Sequence, residues 1–215
     1  MIKLDIFSDP ICPWCFIGKT HLDRALESRP NHPFTIEWHP FQLNPEMPEG
    51  GMDRRAYLEG KFGGKENAIK AYMPVAEHAE KAGLKMNLEG IKTTPNTINA
   101  HCLIHWAGIE GVQTPIVSAL FKAYFIEGRD IGDIDVLADV ADTGGMDAAV
   151  TCKLLLSDAD LTEVRQKDEA ARNMGINSVP TFIVAGQHAV PGAQPPELWQ
   201  RVIDDILEQL QSDTA

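Results

Sequence analysis

Apolar and polar residues alternate at the start of the chain and then change to a helical period. The alternation over residues 2–7 predicts a first strand, because every second residue of a strand faces the same side. Apolar and small residues then recur at helical spacing to about Ser28, which predicts a helix directly after the strand (Cys15, Gly18, Leu22, Ala25).

A second alternating segment follows a Pro-rich break at residues 29–33. Phe34, Ile36 and Trp38 share one face of residues 34–39, which predicts a second strand. Strand, helix and strand in this order make a βαβ unit. Functional sites of open α/β sheets lie beyond the carboxyl ends of the strands. In this chain that position is the connection between the first strand and its helix.

The middle of the chain has helical periodicity and little strand signal. A Pro- and Gly-rich stretch at 40–51 leads out of the sheet, and glycines separate the segments that follow. We predict helices at 54–62, 66–82, 97–109, 114–127, 134–143 and 147–155. Residues 46–165 are therefore interpreted as a helical insertion of domain size, between residues 1–45 and 166–215 of a discontinuous second domain.

The C-terminal part returns to strands. A helix is predicted at 161–174, and the β-branched run after Pro180 predicts a strand, since proline is tolerated at a strand start. A short partner strand near 188–190 and a final helix from about Pro195 complete the chain. The pattern predicts an α/β fold with a large all-helical insertion between an N-terminal βαβ unit and a C-terminal β-hairpin plus helix.

Composition narrows the classes of function. The 215 residues carry 31 acidic and 19 basic side chains, a net charge of −12, with 44% hydrophobic residues. This charge argues against nucleic acid and anionic membrane surfaces as partners, because both bind clustered Lys and Arg. No apolar run approaches 18 residues and no signal-peptide pattern opens the chain, so a cytoplasmic protein is expected.

The candidate chemistry lies in Cys12-Pro13-Trp14-Cys15, between the first strand and its helix. A helix N-terminus offers free N–H groups and a positive dipole end, which favours a thiolate at Cys12. Cys15 lies three residues on, on the same helix face, within reach of a disulfide. We predict that Cys12 attacks a substrate disulfide and that Cys15 resolves the mixed disulfide.

Other interpretations of the polar and sulfur-containing residues are weaker. A zinc site needs a second pair of ligands, whereas Cys102 and Cys152 stand alone and are interpreted as core residues. A structural disulfide is unusual in a cytosolic protein. His101 and His105 share a helix face, but no Glu lies between them, so they are predicted to line the active-site groove and no metal is expected.

The ordered set of motifs resembles the DsbA-like branch of the thioredoxin fold, and within it the FrnE proteins. The resemblance rests on 9–15, 40–45, 96–97, 100–101, 178–181 and 192–195, and it extends from residue 1 to about 210. It implies a thioredoxin fold and a cis bond at Val179–Pro180 beside Cys12, where a substrate chain docks. The substrate-binding residues it implies are Pro13, Trp14, Val179, Pro180, Asn96 and His101. Cys102 replaces an Arg that FrnE proteins typically have after Ala-His.

The related kappa-class glutathione transferases and 2-hydroxychromene-2-carboxylate isomerases supply the alternative function. They carry Ser where this chain has Cys12, and an acidic residue followed by Arg where it has Gly192-Ala193-Gln194. A thiol–disulfide oxidoreductase is therefore favoured over a glutathione-dependent transferase or isomerase. The expected partners are protein or small-molecule thiols and disulfides; no cofactor is required, glutathione is a candidate redox partner, and a homodimer stays open.

Overall fold

The computed structural model describes residues 1–212, so the last three residues of the predicted C-terminal segment lie outside the described part. Its main sheet contains four strands, β1 Ile2–Ser8, β2 Phe34–Pro40, β5 Thr181–Val184 and β6 His188–Pro191. Their order in the sheet is β2-β1-β5-β6. β1 pairs in parallel with β2, while β5 pairs antiparallel with both β1 and β6.

Nine α-helices surround this sheet in the described residues. The bounds are α1 Pro13–Ser28, α2 Arg54–Phe62, α3 Lys65–Lys81, α4 Ile98–Glu110, α5 Gln113–Phe121, α6 Ile134–Thr143, α7 Ala148–Leu156, α8 Leu161–Asn173 and α9 Pro196–Ser212. The predicted βαβ unit, the helical middle and the closing hairpin plus helix appear in this order. The thioredoxin-like α/β fold predicted from the sequence is therefore confirmed. None of the helices in residues 1–212 has the length and apolar character needed to cross a bilayer.

Two features of the middle segment differ from the prediction. A two-stranded sheet joins β3 Met52–Asp53 to β4 Thr93–Thr94, so the insertion is not all-helical. Strands of two residues are too short to produce a period-two pattern, which is why the sequence did not indicate them. The predicted helix 114–127 also changes character, since α5 continues into a π-helical segment at Lys122–Ile126.

The core forms where one face of the sheet meets the helices. Leu4 and Ile6 of β1 pack in the same buried cluster as side chains of α1 and α9, among them Leu22 and Trp199. Phe182 of β5 meets Trp199 edge-on, with ring centroids 4.7 Å apart. This packing fixes the C-terminal end of β1 and the start of α1, where the cysteine motif lies.

The opposite face of β1 and β2 carries a charged cluster. Asp5, Glu37 and His39 approach one another closely enough to share an ion, but Lys3 Nζ already lies 2.8 Å from a carboxylate oxygen of both Asp5 and Glu37. His39 Nε2 lies 2.6 Å from Asp5 Oδ1. The cluster is therefore best described as an ion-pair network across two parallel strands.

Candidate active site

The cysteine motif spans the first turn of α1, as its sequence predicts. Cys12 is the N-cap residue and Pro13 takes the first helical position, where its missing N–H is no loss. The Cys12 carbonyl accepts hydrogen bonds from the N–H groups of Cys15 and Phe16, at 3.1 and 3.3 Å. The turn from β1 into α1 thus places the Cys12 sulfur against the loop before β5, 3.6 Å from the Val179 carbonyl oxygen.

Cys12 and Cys15 have different surroundings. Cys12 lines a cavity of about 360 Å³, which we call the cysteine cavity, and its Sγ lies 3.6 Å from the Val179 carbonyl oxygen. Cys15 does not line this cavity, although the two residues are similarly buried, Cys12 at 3% and Cys15 at 1% exposed. Burial, reinforced by the hydrogen bond to Cys12, raises the pKa of the Cys15 thiol well above its usual value. Cys12 thus lies at the cavity wall, whereas Cys15 lies outside the lining and its thiol favours the protonated form.

Pro13, Trp14 and Val179 also belong to the walls of the cysteine cavity. The peptide bond between Val179 and Pro180 is cis, and Pro180 itself is buried. Trp14 is half-buried and meets the ring of His78 edge-on at 5.1 Å. The structure therefore brings the motif from α1 together with the loop before β5, which lies 167 residues further along the chain.

Asn96 and His101 lie outside the lining of the cysteine cavity. The Asn96 side chain donates to the Met47 carbonyl at 2.6 Å and accepts from the Ile98 N–H at 3.0 Å, so it orders the entry to α4. His101 is 2% exposed and lines a second cavity of about 510 Å³, together with His105. Neither Asn96 nor either histidine lines the cysteine cavity, and their role in substrate binding stays a prediction. Helical spacing placed the two histidines on one face but could not show which face pointed to the sulfurs.

The other two cysteines are separate from the motif. Cys102 is 2% exposed, and burial raises the pKa of its thiol to about 12, which agrees with its interpretation as a buried apolar residue. Cys152 is half-buried on α7, so its prediction as a core residue is wrong. All four cysteines are free thiols in this structure.

Asp9 is a residue of the site that received no role from the sequence. Its carboxylate is fully buried and accepts N–H bonds from Leu43 at 2.7 Å and Ile11 at 3.3 Å. Removal from water raises the pKa of this carboxyl to about 7 despite those bonds. His101 Nε2, 3.8 Å from Asp9 Oδ1, has no hydrogen-bond partner, and burial lowers the pKa of this imidazole to about 3. Asp9 ties the cysteine turn to the chain that leaves β2.

Comparisons with known proteins agree with this architecture. Residues 3–204 match the model of the DSBA-like thioredoxin domain. The uncharacterized protein YwbO of Bacillus subtilis is 29% identical over 209 residues, which cover 95% of this chain and 96% of that protein.

Two solved structures extend the comparison. A probable DsbA oxidoreductase of Streptomyces coelicolor, SCO1869, superposes with a TM-score of 0.83 at 25% identity, covering 95% of this chain and 89% of that one. A 2-hydroxychromene-2-carboxylate isomerase superposes with a TM-score of 0.74 at 17% identity over 99% of both chains, a likeness of fold. These neighbours are consistent with the FrnE-like branch. With 202 of its residues matched by the family model, the chain belongs to the DSBA-like thioredoxin domain family.

Proposed function

We propose that the protein is a thiol–disulfide oxidoreductase that works through Cys12 and Cys15. The proposal rests on one observation: Cys12 lines a cavity, with its Sγ 3.6 Å from the Val179 carbonyl oxygen, while Cys15 does not line that cavity. A nucleophile must meet its substrate, and a resolving thiol must meet only the nucleophile. The family relationship supports the same class of activity.

The exchange proceeds in two steps that balance. The Cys12 thiolate attacks one sulfur of a substrate disulfide, forms a mixed disulfide and releases one substrate thiolate. Cys15 then loses its proton and attacks Cys12 Sγ, which forms the Cys12–Cys15 disulfide and releases the second thiolate. Two electrons pass from the protein to the substrate, and the two released thiolates take up two protons. The reverse sequence oxidises a substrate dithiol.

The remaining functional predictions are part of the same proposal. Val179 and Pro180 form the edge beside Cys12 along which a substrate docks, with Pro13 and Trp14 on the motif side. The exchange needs no cofactor, and thiols or disulfides, glutathione among them, are the proposed redox partners. A cytoplasmic location, as the sequence predicts, is part of the same proposal.

A Cys15→Ser variant tests the division of labour. Without a resolving thiol, the mixed disulfide at Cys12 cannot be released, so we expect the variant to accumulate a covalent adduct of one substrate thiol per protein. Mass spectrometry of the variant after exposure to a disulfide measures this adduct, and a Cys102→Ser variant serves as the control that should accumulate none. Adduct at a cysteine other than Cys12 would contradict the proposal.

The same variant separates the proposed function from the predicted alternative. A glutathione-dependent transferase or isomerase does not use Cys15 in its reaction and should keep its activity in Cys15→Ser. The feature that favours this alternative is the fold likeness to an isomerase. An oxidoreductase should lose its turnover and retain the first, adduct-forming step.

A further inference from the structure

The cysteine cavity has an unusual charge for this protein. Its lining includes two basic side chains, Arg54 and Lys61, and no Asp or Glu. The whole chain, by contrast, has 31 acidic and 19 basic residues. A site that concentrates positive charge in a protein of net charge −12 favours anions locally, although the surrounding surface repels them.

Arg54 is buried without an acidic partner. It is 6% exposed, and no carboxylate of residues 1–212 lies within ion-pair distance of its guanidinium. Nη1 and Nη2 donate instead to the hydroxyl groups of Tyr124 and Tyr72, at 3.0 and 3.2 Å. The guanidinium carbon also lies over both rings, 5.8 Å from the Tyr124 centroid and 5.4 Å from the Tyr72 centroid. A buried guanidinium is costly unless it is paired, and neutral hydroxyls compensate its charge only in part.

The surrounding structure holds Arg54 in place. Its backbone N–H donates to the Lys92 carbonyl at 2.8 Å, which anchors the start of α2. Tyr124, which accepts from the guanidinium, donates its own hydroxyl proton to the Thr93 carbonyl at 3.2 Å. Tyr124 belongs to the π-helical segment, a rare backbone form that recurs at functional sites. The guanidinium is thus fixed before any ligand arrives, which lowers the entropic cost of binding.

A second donor in the cavity lacks an acceptor. Asn44 lines the cysteine cavity, and its side-chain oxygen accepts from the Tyr57 hydroxyl at 2.7 Å. Its Nδ2 group is buried and has no hydrogen-bond partner. Buried donors are normally satisfied, so this unpaired amide is a second unmet donor in the cavity wall that contains Arg54.

We propose that the cysteine cavity binds a low-molecular-weight thiol or disulfide that carries a carboxylate, with the carboxylate on Arg54 and the sulfur at Cys12. A planar guanidinium matches a carboxylate through two parallel N–H bonds, and Asn44 Nδ2 supplies a further donor. A cavity of about 360 Å³ suits a small molecule. This inference rests on the proposed function and names the substrate class of that site.

The redox step is the one already written, with the small disulfide as oxidant. Reduced protein and R–S–S–R give the Cys12–Cys15 disulfide and two molecules of R–SH, and the carboxylate on R is unchanged. Arg54 does not exchange electrons or protons in this reaction. It is a positioning residue that holds the disulfide against Cys12.

The test compares two disulfides that differ only in the charged group, 3,3′-dithiodipropionate and its dimethyl ester. The rate constant for oxidation of the Cys12–Cys15 pair is measured for each by alkylating the remaining thiols, and each is divided by the rate constant for free dithiothreitol. This ratio removes the intrinsic reactivity of the two disulfides. We expect the wild-type protein to prefer the acid by at least about 10-fold, as for a charge-assisted hydrogen bond.

Variants at neighbouring residues show whether Arg54 causes the preference. Arg54→Gln should reduce the preference for the acid over the ester to about the value found for free dithiothreitol. Arg54→Lys should restore part of the wild-type preference. Arg55→Gln is the matched control: it removes the same charge from the adjacent residue, which pairs with Glu59 at 2.8 Å and does not line the cavity. This variant should keep the wild-type preference.

The outcomes are distinguishable. Equal normalised rates for acid and ester in the wild-type protein would overturn the inference and leave the proposed function standing, since exchange still occurs. An unchanged preference in folded Arg54→Gln would also overturn it. Failure of the protein to react with the acid, the ester and the neutral bis(2-hydroxyethyl) disulfide would overturn the proposed function together with the inference. The wild-type comparison holds even if an Arg54 variant does not fold.

Discussion

Replacing Cys12 by Ser should reduce disulfide exchange to the uncatalysed background. The hydroxyl of serine is not a nucleophile toward disulfides at neutral pH, and Cys15 cannot substitute for Cys12. Cys15 lies outside the cavity, and burial keeps the pKa of its thiol well above the usual value. Losing the nucleophile of a covalent mechanism removes essentially all of the catalysed rate. Reduction of a small neutral disulfide by reduced protein, followed in single turnover, measures the effect.

Cys152→Ser is the matched control for this experiment. It removes another free thiol that is more exposed than Cys12 but lies on α7, outside the cysteine cavity. We expect its exchange rate to stay within about twofold of the wild-type rate, since nothing places this sulfur near the substrate edge. If Cys12→Ser exchanged disulfides at the wild-type rate, or if Cys152→Ser lost exchange, the chemistry would belong to a different sulfur.

The stability of the protein should fall with rising pH because of Asp9. The pKa of this buried carboxyl is about 7 in the folded protein, against about 4 in an unfolded chain. Between these values the unfolded state loses its proton while the folded state keeps it, so the contribution of Asp9 is full below pH 4 and disappears as the pH rises through 7. From pH 5 to pH 8 this amounts to about 3 kcal/mol.

Asp9→Asn isolates the contribution from other titrating groups. His101 acts in the opposite sense, because burial lowers the pKa of its imidazole to about 3 and stability then rises with pH up to about 6.5. The informative quantity is therefore the difference in unfolding free energy between wild type and Asp9→Asn. We expect the wild type to lose about 3 kcal/mol of unfolding free energy relative to Asp9→Asn when the pH rises from 5 to 8. Urea titrations of both proteins in the presence of a phosphine reductant measure this difference.

Asp133→Asn is the control for the titration. Asp133 is an exposed N-cap of α6 whose carboxylate accepts from the Asp135 N–H at 2.8 Å, a role that asparagine also fills. Its stability curve should run parallel to that of the wild type across the same pH range. Parallel curves for wild type and Asp9→Asn would mean that Asp9 is not held protonated in the folded protein.

The fold could be predicted from the sequence because the patterns that indicate its strands and helices are local and periodic. The alternation in β1 and β2 and the change of period at Cys15 predicted the βαβ unit at the observed positions. The glycines that separate the helices of the middle segment gave most helix bounds to within a few residues. The short β3–β4 pair escaped notice because two residues carry no period.

Only the part of the site that is contiguous in sequence could be predicted. Cys12 and Cys15 could be recognised from their spacing and their place at a helix start. Arg54 and Tyr124 lie 42 and 112 residues beyond Cys12, and nothing in their neighbourhood marks them. An arginine at the start of a helix is ordinary in sequence, and only the fold reveals that its charge is buried without an acid beside it. For His101, helical periodicity indicated that it shares a helix face with His105. It could not indicate that this imidazole lies next to Asp9.

The most direct measurement of the central claim is the redox equilibrium of the cysteine pair. Wild-type protein is equilibrated with glutathione buffers of graded potential, trapped with an alkylating reagent and mapped by mass spectrometry. The proposed function predicts one reversible two-electron transition with a disulfide between Cys12 and Cys15, at a potential between about −270 and −120 mV, the range of thioredoxin to DsbA. If no Cys12–Cys15 disulfide forms at any potential in this range, the protein does not exchange disulfides by the proposed mechanism.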